Sequence, residues 1–158
     1  MKRQTLFRIV SILLTAAWMA VIFYMSSQTA DDSDLLSSGI CYRICKIFVK
    51  GFEEMDMSVR LEMAASISFI VRKTAHFTEY TVLGILLSCS FRSFGTGKPL
   101  LWPAFTGFLY AVSDEMHQLF ISGRSGQIRD VCIDTAGVIL GVIIVSFIAK
   151  CLKRKHAG

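Results

Sequence analysis

From Ile9 to Ala30 the chain carries no charged residue, and this apolar run is about the ~20 residues that a membrane-crossing helix needs. MKRQTLFR leads into it. A cleaved secretory leader would have a shorter apolar stretch followed by small residues, but SSQTA puts Gln28 where a small residue is wanted. The run therefore reads as an uncleaved first span, residues 9–30. Three later stretches are comparably apolar only if polar residues are admitted. The second, 72–91, includes His76 and Glu79. The third, 100–120, is apolar from Leu100 to Ser113 and then runs into DEMHQLFI. The fourth, 130–149, has Asp134 near its start. Gly95, Gly97 and Pro99 separate the second from the third, and SGRSGQ (Ser122 to Gln127) separates the third from the fourth, both with turn composition. The fold class this predicts is all-α: four antiparallel transmembrane helices in a single membrane domain covering residues 1–158.

Residues 31–70 are too long for a turn. Leu36, Ile40, Ile44, Ile47 and Phe48 recur at helical spacing among basic residues, which predicts an amphipathic extracytoplasmic segment lying in the outer interface. MSVRLEMAASISFIV is continuous enough for a helix to run straight into the second span, with Ser58 as its cap and Glu62 in its early turns.

Composition agrees with this pattern. Of the 158 residues 53% are hydrophobic and 18% charged, against about 25% charged in a typical soluble domain. The net charge of +5 would suit nucleic acid in a soluble protein, but here the basic residues follow the span ends, so no nucleic acid partner is expected. Lys2, Arg3 and Arg8 precede the first span, Arg92 and Lys98 lie between the second and third, and Lys150, Lys153, Arg154 and Lys155 follow the fourth. Acidic residues are absent from these three places. By the positive-inside rule both termini are cytoplasmic, in a multi-pass cell-membrane protein. The KCLKRKHAG tail reads as a basic anchor on anionic lipid. The five cysteines form no CxxC pair; Cys41 and Cys45 share a helical face as small apolar residues.

A charged side chain at the centre of a bilayer is expensive, at roughly 2.5 to 3.5 kcal/mol on insertion scales, so the polar residues of the spans are candidates for function. Arg72, His76, Glu79 and Tyr80 lie at i, i+4, i+7 and i+8, which predicts one shared face. Asp114, His117 and Gln118 lie together on the third span with Glu115 beside them, and Asp130, Asp134, Gly137 and Gly141 repeat along the fourth. The predicted topology brings these faces to one depth near the outer leaflet, where Arg124 and Arg129 can close over them. If they serve only to join helices, Arg124 with Asp130, or Lys73 with Glu79 or Asp114, are the expected pairs. For catalysis, Glu79, Asp114 and Glu115 supply closely spaced carboxylates and His76 a base, while Lys73, Arg124 and Arg129 could hold a phosphate or carboxylate. No nucleophile motif accompanies them. His76, Glu79, Tyr80, Asp114 and His117 could offer mixed ligands, but the cations nearby oppose a metal, and neither metal nor cofactor is expected. GVILG, Gly137 to Gly141, allows either a homodimer face or close packing within the chain.

RKTAHFTEYTVLG, DEMHQLFISGR and DVCIDTAGVILG, in that order, resemble the VanZ family of bacterial membrane proteins, over roughly Ile70 to Val142. The resemblance carries over Lys73, His76, Glu79 and Tyr80; Asp114, Glu115 and Gln118; and Gly123, Arg124, Asp130 and Gly137. Asp134 stands where that family also uses Asn, and His117 at a variable position. The resemblance implies a cell-envelope protein that lowers susceptibility to teicoplanin and related lipoglycopeptides. The implied partners are membrane lipids and a lipid-linked cell-wall precursor or the lipoglycopeptide itself, bound by Lys73, Tyr80, Gln118, Arg124 and Asp130. The alternative is a membrane enzyme using carboxylate and histidine acid–base chemistry on a lipid-linked envelope substrate.

Overall fold

The computed structural model of the chain describes residues 2–95 and 97–156. Met1 of the basic lead and Ala157 and Gly158 of the tail lie outside the described residues. Among those described there is no strand. Five α-helices, α1 (Lys2–Ser26), α2 (Ala30–Phe48), α3 (Met57–Ser93), α4 (Leu101–Gln118) and α5 (Ile128–His156), are joined by turns that include one short 3-10 helix, Phe52–Glu54. The expected all-α class is observed.

The element ends depart from expectation for local reasons. α1 stops at Ser26 rather than Ala30, because Thr29 caps the next helix: its hydroxyl accepts the Asp32 N–H at 3.3 Å, and Asp31 and Asp32 favour the positive end of the α2 dipole. α3 is one 37-residue helix, so the first turns ahead of residue 72 and the expected second span form one rod. Asp56, not Ser58, stands at its N-cap, and no side chain caps it. α3 ends at Ser93, and two residues on Gly95 turns the chain away with a φ of +69° that suits glycine, its N–H returning to the Arg92 carbonyl. α5 continues through the basic tail instead of stopping at residue 149.

Two helices, within Arg3–Ser26 and Ile128–Lys155, are long and apolar enough to cross a membrane. Only 17% and 28% of their most apolar windows are buried, which distinguishes them from the core helices of a soluble protein. Leu13, Tyr24 and Phe147 point outward with the rest of those faces.

α3 is the hub, touching all four other helices and lying along α5 over most of its length. Small residues permit that approach. A Cβ on Gly137 would stand 2.5 Å from the Phe77 carbonyl oxygen, and one on Gly141 closer still to that of Thr81; Gly84 meets the Val138 backbone in the same way. From the other side, Gly107 of α4 receives the Val138 side chain. The Gly137–Gly141 pair thus packs against α3 of its own chain. Ile22, Tyr80, Leu83, Leu87, Ala111, Val138 and Val142 form the core around this crossing.

Polar contacts record how the helices align. Along α1, Arg8 reaches the Ser93 carbonyl at 2.7 Å, Thr15 meets Ser90 at 3.0 Å and the Trp18 indole N–H reaches the Glu79 carbonyl at 2.9 Å, so the α3 partners recede as α1 advances. Along α5 the partners of α3 advance instead, from Lys73 with Asp130 to Arg92 with Ser146.

Candidate polar site

The end of the fold where α1 finishes and α5 begins gathers polar residues of α1, α3, α4 and α5 and of the α4–α5 loop. α4 brings Asp114, Glu115 and Gln118 there, all buried, since positions four apart on a helix lie one above the other. Tyr80, fully buried on α3, donates its hydroxyl to Asp114 Oδ2 at 3.1 Å, and Ser26 at the end of α1 donates to the same oxygen at 2.8 Å. The Gln118 amide N–H lies 3.4 Å from both Asp114 Oδ2 and Glu115 Oε1. Glu115 Oε2 accepts the Gln127 backbone N–H at 2.9 Å, which ties the α4–α5 loop down on the acids. Gly126 makes this path possible, because a Cβ there would stand 2.7 Å from the Glu115 carbonyl oxygen.

The cations sit above the acids. Lys73 donates to Asp130 Oδ2 at 2.5 Å, in a pair whose side chains are mostly covered, and Arg129 approaches the other oxygen at 3.8 Å. Arg124 Nε donates to the Gln28 carbonyl at 2.9 Å and its Nη1 lies 3.4 Å from Gln118 Oε1. Burial lowers the Arg124 pKa and the neighbouring Arg72 adds to that, while Asp114, Glu115 and Asp34 work against it. A guanidinium remains charged throughout the accessible pH range.

The pairs differ from those the sequence suggests. Lys73 takes Asp130, rather than Glu79 or Asp114, because α3 and α5 are in register at that level. Arg124 cannot spare its fork for Asp130, since it holds the end of α1 and the end of α4 together. The predicted single face of Arg72, His76, Glu79 and Tyr80 also divides. Over eight residues a helix turns the last position about 80° from the first, enough for two neighbours to share the four. Tyr80 turns to α4 while Arg72 pairs with Asp34 of α2. His117 does not join Asp114 and Gln118; its ring stacks on Phe23 of α1, centroids 4.4 Å apart.

Several buried atoms have no hydrogen-bond partner: Asp114 Oδ1, His76 Nδ1 and both carboxylate oxygens of Asp134. Asp134 is almost fully buried on α5, within electrostatic reach of Glu115, Asp114 and Asp130. In the sequence it stands out little, because the resemblance allows Asn at this position. Ser26 and Gln28 give no sign of a site role in the sequence, being ordinary helix-end residues with no periodic signal. For Asp34 the one sequence signal is an acid inside an amphipathic stretch.

Two cavities flank this arrangement. One of about 190 Å³ is lined by Lys73, His76, Gln118, Arg124, Arg129 and Asp130, among others. The second, about 110 Å³, has an apolar wall of Met25, Leu36, Ile40, Val71 and Ala75 from α1, α2 and α3, and its polar lining includes Glu79 and the residues it shares with the first cavity. Such a site can bind an anion through its cations and move a proton through its acids. Among the described residues no group of three or more His, Cys, Asp or Glu is placed to hold a metal ion.

A family model described as VanZ/LLP1 matches residues 11–149. Comparison with curated proteins gave no match, and neither did comparison with solved structures.

Proposed function

The chain belongs to the VanZ family, and on that premise we propose that it is a multi-pass protein of the bacterial cell membrane whose polar junction binds an envelope ligand at the outer leaflet. The ligand is a lipid headgroup, a cell-wall precursor or a lipoglycopeptide, and occupancy lowers teicoplanin susceptibility. α1, α3, α4 and α5 cross the membrane antiparallel as one domain. The reversal of partners between α1 and α3, and their shared advance along α3 and α5, support this topology. Arg8, Arg92 and Lys150 gather at the end opposite the acids, which supports cytoplasmic termini. α2 then lies along the outer interface, with Leu35, Ile47 and Phe48 more than 70% exposed for contact with lipid.

One observation carries this reading: a cavity lined by Lys73, Arg124 and Arg129 opens directly above buried acids whose hydrogen bonding the fold leaves incomplete. Polar groups kept only to join helices could be replaced by apolar ones at little loss. The test is teicoplanin susceptibility of a host expressing the wild type, Glu79→Gln or Asp114→Asn at matched membrane levels. Loss of protection in both variants is expected. Full protection by both would reduce these carboxylates to helix-joining groups.

The open valences of Asp134, Asp114 and His76 favour a second reading, in which the same site performs acid–base chemistry on a lipid-linked substrate. Turnover of a lipid-linked precursor by the purified protein would select it over binding alone.

A further inference from the structure

The polar and the apolar cavity share Ser33, Arg72, His76 and Arg124, so they meet along one wall and form a single cleft with two kinds of lining. Lys73, Arg124 and Arg129 bring cationic donors to the polar part, against one carboxylate, Asp130. Arg72 stands at the junction, its charge answered by Asp34. The apolar part runs between α1, α2 and α3 past Met25, Leu36, Ile40, Val71 and Ala75, with Ser37 and the Glu79 carboxyl as its own polar groups. Met25, Leu36 and Ile40 are each more than a third exposed, so this part reaches the outside of the helix bundle. His76 lies where the two parts meet, and its Nδ1 is buried without a partner.

A free polar anion would use only the first part, and a plain hydrocarbon only the second. We infer that the cleft is a head-and-tail site for a lipid phosphate, with the phosphate among Lys73, Arg124 and Arg129 and the start of the hydrocarbon chain between α2 and α3. This narrows the envelope-ligand reading above and rests on it for the polar junction being a binding site. Charge complementarity identifies the head: a phosphate offers several acceptor oxygens to guanidinium forks, and the cationic excess of the wall favours an anion. The same excess disfavours a zwitterion that brings its own ammonium group. The exposed apolar wall identifies the tail, since in lipid an alkyl chain can enter sideways without crossing water.

The test uses the full chain purified in a maltoside detergent, which carries no phosphate. Binding of dodecyl phosphate, dodecanol and inorganic phosphate is measured by calorimetry, the first below its micelle concentration. Dodecyl phosphate is expected to bind at least tenfold tighter than either other probe. Arg129→Gln, at an exposed residue that lines only the polar part, should weaken dodecyl phosphate about tenfold and leave dodecanol unchanged. Ala75→Trp, which fills the apolar part from an exposed position, should weaken dodecyl phosphate and leave inorganic phosphate unchanged. Equal binding of dodecyl phosphate and inorganic phosphate overturns the tail, and equal binding of dodecyl phosphate and dodecanol overturns the head. Either result leaves the envelope role standing if Glu79→Gln still abolishes protection. A preference for dodecyl phosphate with no protection by the wild type would instead keep the site and remove the role.

Discussion

The contact between α3 and α5 has two halves built on different principles. In one, Gly84, Gly137 and Gly141 bring backbone against backbone around Val138, and neither helix carries a charged residue between Tyr80 and Arg92 or between Asp134 and Lys150. In the other, Lys73 and Asp130 pair, and Asp134 lies buried with both oxygens unsatisfied. Close packing of small residues suffices to associate helices in lipid. The glycine half therefore accounts for cohesion, and the polar half carries groups that cohesion does not require. Its incomplete hydrogen bonding is what a ligand or a proton could complete.

Substitutions can break this contrast or sharpen it. Gly141→Leu should have the largest effect, because even its Cβ would meet the backbone of α3; about 3 kcal/mol or more is expected, seen as loss of monodisperse protein on size exclusion. Lys73→Met removes one partner of a mostly covered ion pair and should cost about 3 kcal/mol in thermal stability, most of it regained in Lys73→Met/Asp130→Leu. The double variant should remain without protective activity. Recovery of protection along with stability would assign that pair to cohesion after all. Tyr80→Phe deletes one hydrogen bond to Asp114 and should lower stability by about 1 kcal/mol, read from the thermal midpoint in detergent. Asp134→Asn should raise that midpoint slightly, by about 1 kcal/mol or less, with protection intact, since no hydrogen bond to its carboxylate is lost. Loss of protection in a folded Asp134→Asn protein would favour the acid–base reading. Lys46→Gln, in an exposed pair with Glu53, should leave the midpoint unchanged within about a degree. The hydrogen bond from Lys46 holds the Glu53 carboxyl below its ordinary pKa, so any small contribution would be present above the ordinary carboxylate range and lost as pH falls through the depressed value.

Helix existence was legible wherever the apolar run was long, as in α1 and α5, because composition alone decides it. The ends were less so. Thr29 reads as the tail of an apolar run until Asp32 supplies the N–H it caps, and Asp56 rather than Ser58 begins α3 because the turn after Phe52–Glu54 delivers the chain there. In the polar site, helical spacing groups Asp114 with Gln118, and the predicted topology brings the face of Tyr80 to theirs; Tyr80 and Gln118 each lie within hydrogen-bonding distance of Asp114. Partner choice could not be read in the same way. Whether Lys73 meets Asp114 or Asp130 depends on how α3 is rotated against α4 and α5, and the Gln127 contact with Glu115 depends on a loop path. Spacing along one helix contains neither quantity. His117 shows the limit, since it shares the spacing of its neighbours and still stacks on α1.

The Val138 backbone rests on Gly84 of α3, and its side chain fills the notch of Gly107 of α4 on the other side. Tyr80 lies one turn from the first glycine and Asp114 two turns from the second, and the 3.1 Å hydrogen bond between them spans the same gap. Side-chain volume at residue 138 thus acts as a shim: a methyl group added or removed there resets the gauge between two helices and, through it, the opening of the polar end. The width of the site is calibrated by a residue that lines neither cavity.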